Sequence, residues 1–474
     1  MMKIMFVGSE ATPFAKTGGL ADVLGSLPQA LASLGHEVSL VLPMHRKIKD
    51  QFDEQSILLK EFYVSVHTKE EYVGIKQYKH GNIVVYFIDN DYYFGYRENL
   101  YGDFDDGERY GYFSKAVLSM MKVIDYYPDI LHLNDWQTGL IPQYLKVKYI
   151  DKPYQPIKTL FTIHNIAYQG SFSKGLLVYL DLPNDNVITY DDKVNFLKTG
   201  LVTADKLSTV SKTYAEELKY EYFAFGMSPI IKDRQADLVG IMNGLDLDAF
   251  DPRKDEEIAT PFGLNNYVKG KHQNAEALRK MFHLKPSTKP IVGMVSRLTE
   301  AKGFPLVEGL IETFLKKGDC QFVLLGSGDA DIQAYFNHLK QMYSKDVGVY
   351  FGYSDAIARQ IYAGSTFFLM PSRFEPCGLA QLISMRYGTL PIVRETGGLK
   401  DSVLPFNRYT HDGTGFSFYE YTKEALGEVL AIAFDVHRNQ AAYKTLVKRV
   451  MKEDFSWNKS AEQYVKLYQN LMEE

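Results

Sequence analysis

Thr-Gly-Gly-Leu occurs twice in this chain, at 17–20 and at 396–399, each time between a short apolar run and a segment of helical character. Gly18 and Gly19 in the first copy, and Gly397 and Gly398 in the second, let a ligand approach the backbone closely. The helix N-terminus behind such a loop carries unpaired N–H groups and a partial positive charge, which suit phosphate. A Gly-Gly before a helix fits a plain strand-to-helix turn equally well, so the neighbouring charges matter. Lys16 directly precedes the first loop, and Arg297 and Lys302 stand in "SRLTEAKGF", just past an apolar run. The first loop does not match G-x-G-x-x-G and the chain has no G-x-x-x-x-G-K-[ST], so neither a dinucleotide fingerprint nor a P-loop is present. Other residue types able to do chemistry end apolar runs: Asp135 in "NDW", His164 and Asn165 in "THN", and Tyr353 in "GVYFGY". Glu375 lies in "FEPCGL" with Cys377, Gly378 and Leu379, and Asn243 lies in "MNG". Taken singly, each has a structural reading: an N-cap for Asp135, a core histidine for His164, a packed ring for Tyr353, a turn for Asn243, and a helix-start carboxylate for Glu375.

The elements that must position these residues read as two series. The first half opens with the strand "KIMFVG", then a helix with Leu20, Val23, Leu24, Leu27, Leu31 and Leu34 at helical spacing, then the strand "VSLVLP", a βαβ unit. "DILHLND", "TLFTIHN" and "KLSTVS" are further buried strands ending in polar residues, where parallel sheets usually hold ligands. In the second half "PIVGMVSRL", "QFVLLGSG", "GVYFGY", "TFFLMPS" and "LPIVR" alternate with helical segments, which predicts a second parallel sheet. The stretch from about 240 to 265, rich in Asn-Gly, Pro and charge, reads as the connection between the two. Two doubly wound α/β domains in tandem can turn the C-terminal edges of both sheets toward one cleft.

A chain of 474 residues holds two or three domains at roughly 150 residues each, and its 46% hydrophobic content can fill their cores. Nothing in a net charge of −5 suggests nucleic-acid binding or a polybasic membrane anchor. The N-terminus lacks a signal-type apolar core and no window approaches 18 uninterrupted apolar residues, so a cytoplasmic location is expected. The two cysteines, Cys320 and Cys377, form neither a C-x-x-C nor a metal-type spacing, as expected in a reducing compartment without structural zinc.

Six ordered motifs carry a family resemblance: "KTGGLADVLGSLP", "HLNDWQTGL", "THNIAYQG", "MNGLDLDAFDP", "SRLTEAKG" and "PSRFEPCGLAQL". The chain resembles the bacterial glycogen synthases, retaining glycosyltransferases of the GT-B type related to plant starch synthases. The resemblance implies a GT-B fold of two Rossmann-like domains facing an interdomain cleft. Residues 1–242 would form an acceptor-side domain and 243–455 a nucleotide-sugar domain, with 456–474 a helix crossing back to the first. It implies transfer of glucose from ADP-glucose to the non-reducing end of an α-1,4-glucan with retention, releasing ADP. By resemblance Arg297 and Lys302 grip the donor diphosphate, joined by Lys16 and the backbone of Gly18 and Gly19. Glu375 would hold a glucose hydroxyl, the backbone around Cys377, Gly378 and Leu379 others, and His164 with Asn165 and Asn243 would also face the sugar. Asp135 is counted with the catalytic group and Tyr353 stacks on the base. Two relatives' features are missing: position 137 is Gln where His is frequent, and Ile383 replaces the second of two glutamates seven residues apart. Stabilising a departing diphosphate demands positive charge, and these cations can supply it with neither metal nor cofactor. Three other readings compete. The Asp-x-Asp triplets at 89–91, 103–106 and 246–248 would serve a metal-dependent transferase. A phosphorylase would need a lysine-bound pyridoxal phosphate and a much larger chain, and a non-catalytic glucan-binding protein would not need the diphosphate cations.

Overall fold

The computed structural model describes residues 1–473. The chain divides into two compact units: Met1–Gly244 with the chain from Trp457 onward, and Leu245–Ser456. The crossing lies at Gly244–Leu245, so the Pro- and charge-rich stretch up to residue 265 belongs to the second unit rather than forming a free linker.

The first unit is built on a nine-stranded sheet. Its strands are β1 (Lys3–Val7), β2 (Glu37–Pro43), β3 (Ile57–Val66), β4 (Lys69–His80), β5 (Ile83–Asp89), β6 (Ile130–Asn134), β7 (Lys158–Ile163), β8 (Lys206–Thr209) and β9 (Leu238–Gly240). They lie in the order β9-β8-β7-β6-β1-β2-β5-β4-β3. All pairings from β9 to β5 are parallel, whereas β5–β4 and β4–β3 are antiparallel. Ile4, Met5, Phe6 and Val7 are all fully buried, as a central parallel strand covered on both faces requires. The hairpin β3–β4 lies outside the elements expected from sequence, because its strands are mostly solvated and their charges hide the alternation. Helix α1 (Gly19–Ser33) buries Leu20, Val23, Leu24, Leu27 and Leu31, the stripe its spacing predicts.

In the second unit six strands lie in one sheet: β10 (Ile291–Val295), β11 (Gln321–Gly326), β12 (Val347–Phe351), β13 (Phe367–Met370), β14 (Leu390–Arg394) and β15 (Phe416–Phe418). Their order is β12-β11-β10-β13-β14-β15 and every pairing is parallel. Helices α2 (Ala380–Arg386) and α3 (Gly397–Ser402) flank β14 in the chain. The final helix, α4 (Trp457–Glu473), packs on the first unit, where Trp457, Ala461, Tyr464, Leu467, Tyr468 and Leu471 share one core with Ile4, Phe6 and the α1 stripe.

Near the middle of each sheet the order of its parallel strands reverses direction, and such switch points leave a crevice beyond the carboxyl ends of two neighbouring strands. In the first unit the reversal lies between β1 and β6, and in the second between β10 and β13. The residues singled out from sequence follow these strands.

Candidate active site

The second unit's switch point is open because β10 and β13 pair over a short length, Val292 opposite Phe367 and Gly293 opposite Phe368. Beyond it lies a cavity of about 230 Å³ lined by Met294, Val295, Leu369 and Met370 together with Arg297, Lys302, Ser372, Glu375, Gly378 and Leu379. Glu375 is 8% exposed, and its Oε2 accepts hydrogen bonds from Lys302 Nζ at 2.7 Å and Ser372 Oγ at 3.1 Å. An ammonium has three donors, so this pair uses one and leaves two. Gly303 turns the chain sharply after Lys302: its φ is +83°, and a Cβ there would stand 2.0 Å from Pro371 O. That close approach brings the Lys302 loop against the loop bearing Glu375. Five of the sequence candidates, Arg297, Lys302, Glu375, Gly378 and Leu379, thus meet at one cavity, with Cys377 buried beside it.

The two Thr-Gly-Gly-Leu loops do different work. In the second, a Cβ on Gly397 would lie 2.1 Å from Glu375 O and one on Gly398 2.1 Å from Cys377 O. Gly398 N–H is spent on Glu375 O at 3.2 Å and Pro376 O at 3.1 Å. The expectation that Gly397 and Gly398 present backbone to a ligand is therefore corrected: they are the surface on which the Glu375 loop rests. α3 has no carboxylate in its first turn, unlike α1 with Asp22. In the first loop a Cβ on Gly18 would meet only Glu10 Oε1 at 3.7 Å, and one on Gly19 nothing within 4 Å. These glycines face open space, which ordinary packing does not demand.

Around that space the first unit gathers a polar cluster. Glu10, 1% exposed, follows β1 and accepts from Thr17 N–H and Thr17 Oγ1, while Thr17 Oγ1 also bonds Tyr101 OH. Burial pushes the Glu10 carboxyl above its ordinary range, and the nearby Asp22 charge adds to this. Lys16 Nζ is paired with Asp22 Oδ1 at 2.6 Å. Sequence reasoning missed Glu10, Thr17 and Tyr101; the one available signal was a carboxylate directly after the first strand. Across the switch point, Asp135 follows β6 with φ +56° and ψ −178°, a region non-glycine residues rarely occupy. Its side chain makes no cap; Oδ1 accepts from His164 N–H at 2.8 Å and Asn165 N–H at 3.4 Å, tying the ends of β6 and β7 together. Desolvation raises the Asp135 carboxyl to about 7 despite those bonds, with a further push from the Glu10 charge. His164 is buried and its pKa falls to about 3, so the ring is neutral. His164 Nε2 bonds Asn134 Oδ1 at 2.9 Å; with Nε2–H donating, Nδ1 keeps a lone pair that can accept from a hydroxyl. Asn243 is buried and its Oδ1 has no hydrogen-bond partner among the described residues. Tyr353 lies two residues past β12 and is 83% exposed, apart from the second unit's cavity.

The Asp-x-Asp triplets are held by basic side chains. Asp89 and Asp91 pair with Lys49, Asp103 and Asp106 with Arg109, and Asp248 with Lys254. No helix among the described residues is long and apolar enough to cross a membrane.

Residues 3–233 match the starch synthase catalytic domain and 277–445 the group 1 glycosyl transferases. The glycogen synthase of Exiguobacterium sibiricum is 42% identical over 476 residues, 98% of this chain and 98% of that protein. The chain belongs to the glycogen synthase family. That of Streptococcus mutans is 42% identical over 478 residues, covering 99% of this chain and 100% of that protein. The solved catalytic domain of Arabidopsis thaliana starch synthase IV, bound to ADP and acarbose, superposes with a TM-score of 0.91 at 33% identity, and each chain is fully covered. Sucrose-phosphate synthase from Thermosynechococcus elongatus, 17% identical with full coverage of both chains and a TM-score of 0.63, shares the fold. The chain is thus a glycosyltransferase of two Rossmann-like domains, as expected from its motifs.

Proposed function

We propose that this enzyme transfers glucose from ADP-glucose to the non-reducing 4-hydroxyl of an α-1,4-glucan with retention, without metal or cofactor. The observation that carries the reading is the cationic cavity at the second switch point, where Lys302 and Arg297 stand beside the buried carboxylate of Glu375. The ADP seen in the Arabidopsis relative supports a nucleoside diphosphate as leaving group, and its acarbose supports a glucan-like partner. In this reading the bond between the anomeric carbon and the diphosphate breaks, the acceptor oxygen bonds that carbon on the face the diphosphate leaves, and the hydroxyl proton passes to the departing diphosphate. Arg297 and the two spare Lys302 donors neutralise the departing oxygens, where preorganised charge counts most. Glu375 orients sugar hydroxyls, aided by the Cys377–Leu379 backbone. In the first unit, Lys16 and the open backbone at Gly18 and Gly19 take phosphate. The neutral His164 accepts from a sugar hydroxyl, Asn165 and the unpartnered Asn243 Oδ1 serve the same sugar, and Asp135 holds the His164 turn. Tyr353, exposed past β12, stacks on the base. Incubating the purified protein with glycogen and either ADP-glucose or UDP-glucose, with released nucleotide measured, tests donor and activity together. Faster release from UDP-glucose overturns the donor assignment. Turnover lost in excess EDTA and restored by Mg²⁺ or Mn²⁺ overturns the metal-free one.

A further inference from the structure

Strands β7, β6 and β1 lie side by side in the first sheet, and one side chain ties their carboxyl ends together. Asn134, the last residue of β6, is fully buried. Its Nδ2 donates to Val7 O at the end of β1, at 3.0 Å, and to His132 O at 3.2 Å. Its Oδ1 lies 2.9 Å from Nε2 of His164, the residue just past β7. An amide has two N–H donors, and here both are spent on carbonyl oxygens. Turning the amide over would set its oxygen against those two carbonyls and forfeit both bonds, so its orientation is fixed. The atom facing the histidine is therefore an oxygen, which can only accept, and His164 Nε2 must carry the proton.

The other ring nitrogen is settled by the same step. A neutral imidazole holds one proton, so Nδ1 is an acceptor. Among the described residues it has no hydrogen-bond partner, yet it is not sealed in: of the histidines, only His45 has an enclosed nitrogen without a partner. The titratable groups around the ring supply no counter-charge. His132 turns Nδ1 to Tyr468 OH and Nε2 to Thr162 Oγ1, Asp135 Oδ1 takes the main-chain N–H groups of His164 and Asn165, and Tyr214 OH takes that of Ile166. Capping Val7 O at the end of β1 explains one donor of Asn134, but it does not require an oxygen aimed at an imidazole. We propose that Asn134 is a positioning residue for the reaction: it fixes His164 as the Nε2–H tautomer, so that Nδ1 faces the substrate as the acceptor for a hydroxyl. That this hydroxyl belongs to a glucosyl group rests on the function proposed above, whereas the tautomer rests on Asn134 alone.

Long-range proton–nitrogen correlation spectra of the full chain labelled with nitrogen-15 at histidine read the tautomer directly. The His164 signals are those missing from His164→Gln. The expected pattern is a protonated Nε2 and a bare Nδ1, kept from pH 8.5 to 5.5. A protonated Nδ1 in the wild type overturns the proposal. This measurement needs no variant of Asn134 and no turnover, so it stands even where neither nucleotide-glucose is a substrate. Asn134→Asp sets a carboxylate against Nε2, which favours the imidazolium. In that variant His164 should gain its second proton above pH 5.5. Its kcat/KM relative to wild type should then fall by about threefold or more between pH 8.5 and 5.5, with a midpoint that matches the His164 titration. A loss in Asn134→Asp that is the same at every pH, with His164 still neutral, would make Asn134 a strand cap and overturn the positioning role.

Discussion

At the scale of single residues, the two Thr-Gly-Gly-Leu loops make opposite predictions from the same substitution. Gly18→Val adds a side chain where only Glu10 Oε1 approaches, at 3.7 Å, so the variant folds with a melting temperature near wild type but loses donor binding. Gly398→Val drives a Cβ to 2.1 Å from Cys377 O and lowers the melting temperature instead. Thermal melts with and without nucleotide-glucose separate the two, and normal turnover in Gly18→Val would demote that loop to a turn. Lys302→Ala should cost about 2 to 4 kcal/mol in the barrier, the scale of losing one preorganised donor, with kcat falling more than KM rises. A raised KM at unchanged kcat would restrict Lys302 to ground-state binding. Burial raises the Asp135 carboxyl to about 7, and its ionised form accepts the two N–H groups at the His164 turn more strongly than the neutral acid does. The acid limb of the kcat/KM profile should therefore show an apparent pKa near 7 that Asp135→Asn removes along with most activity.

At the scale of elements, the decisive piece is α4. It follows the whole second unit in sequence yet places Trp457, Tyr464, Leu467, Tyr468 and Leu471 in the first unit's core. At about 1.5 to 3 kcal/mol for each large apolar side chain, those five rival the entire stability of a typical domain. The helix also reaches polar groups: Tyr468 OH bonds His132 Nδ1 at 2.7 Å, His132 Nε2 bonds Thr162 Oγ1 at 2.6 Å, and Thr162 Oγ1 bonds Ser208 Oγ at 2.6 Å. That chain links α4 to β6, β7 and β8, two of which lead to Asp135 and His164. A chain ending at Ser456 should leave the first unit without cooperative unfolding, whereas residues 245–456, continuous in sequence, should fold alone. Near-UV dichroism and hydrogen exchange on both fragments decide this; a cooperatively folded truncated first unit would mean α4 is dispensable. Tyr468→Phe strands a buried imidazole nitrogen and should cost about 1 to 3 kcal/mol.

At the scale of the molecule, buried histidines govern acid stability. His45 and His164 are held neutral with pKa values near 3, and His132 is likewise depressed, in each case chiefly by burial. A depressed folded pKa contributes stability that is present above the unfolded value near 6.5 and lost as pH falls toward 3. At pH 5 His45 and His164 each cost roughly 2 kcal/mol relative to neutral pH, and His132 acts in the same direction. Glu10 and Asp135, with raised values, run the other way: each favours the folded state at low pH and gives that up as pH rises toward its folded value. The three histidines outweigh the two carboxyls, so the melting temperature should drop between pH 6.5 and 5, and a melt series across that window checks it. A temperature that rises on acidification would show that the carboxyls dominate.

The parallel part of the first sheet, the whole of the second, most of their strands, α1 and the cations after β10 were legible in the sequence, because continuous apolar runs, helical spacing and turn residues are local properties of the chain. The family, and with it the activity, was legible in six motifs for the same reason. The tertiary structure alone decided which of these became neighbours. Lys302 and Glu375, 73 positions apart, meet because β10 and β13 adjoin at a switch point, and nothing in either motif encodes that adjacency. Identical Thr-Gly-Gly-Leu loops became a packing surface and an open cradle because one lies under the Glu375 loop and the other faces space. Glu10 joined Asp135 through strand order, and the last helix stabilises the first unit because the partners of its apolar stripe are chosen by packing, which no local pattern records.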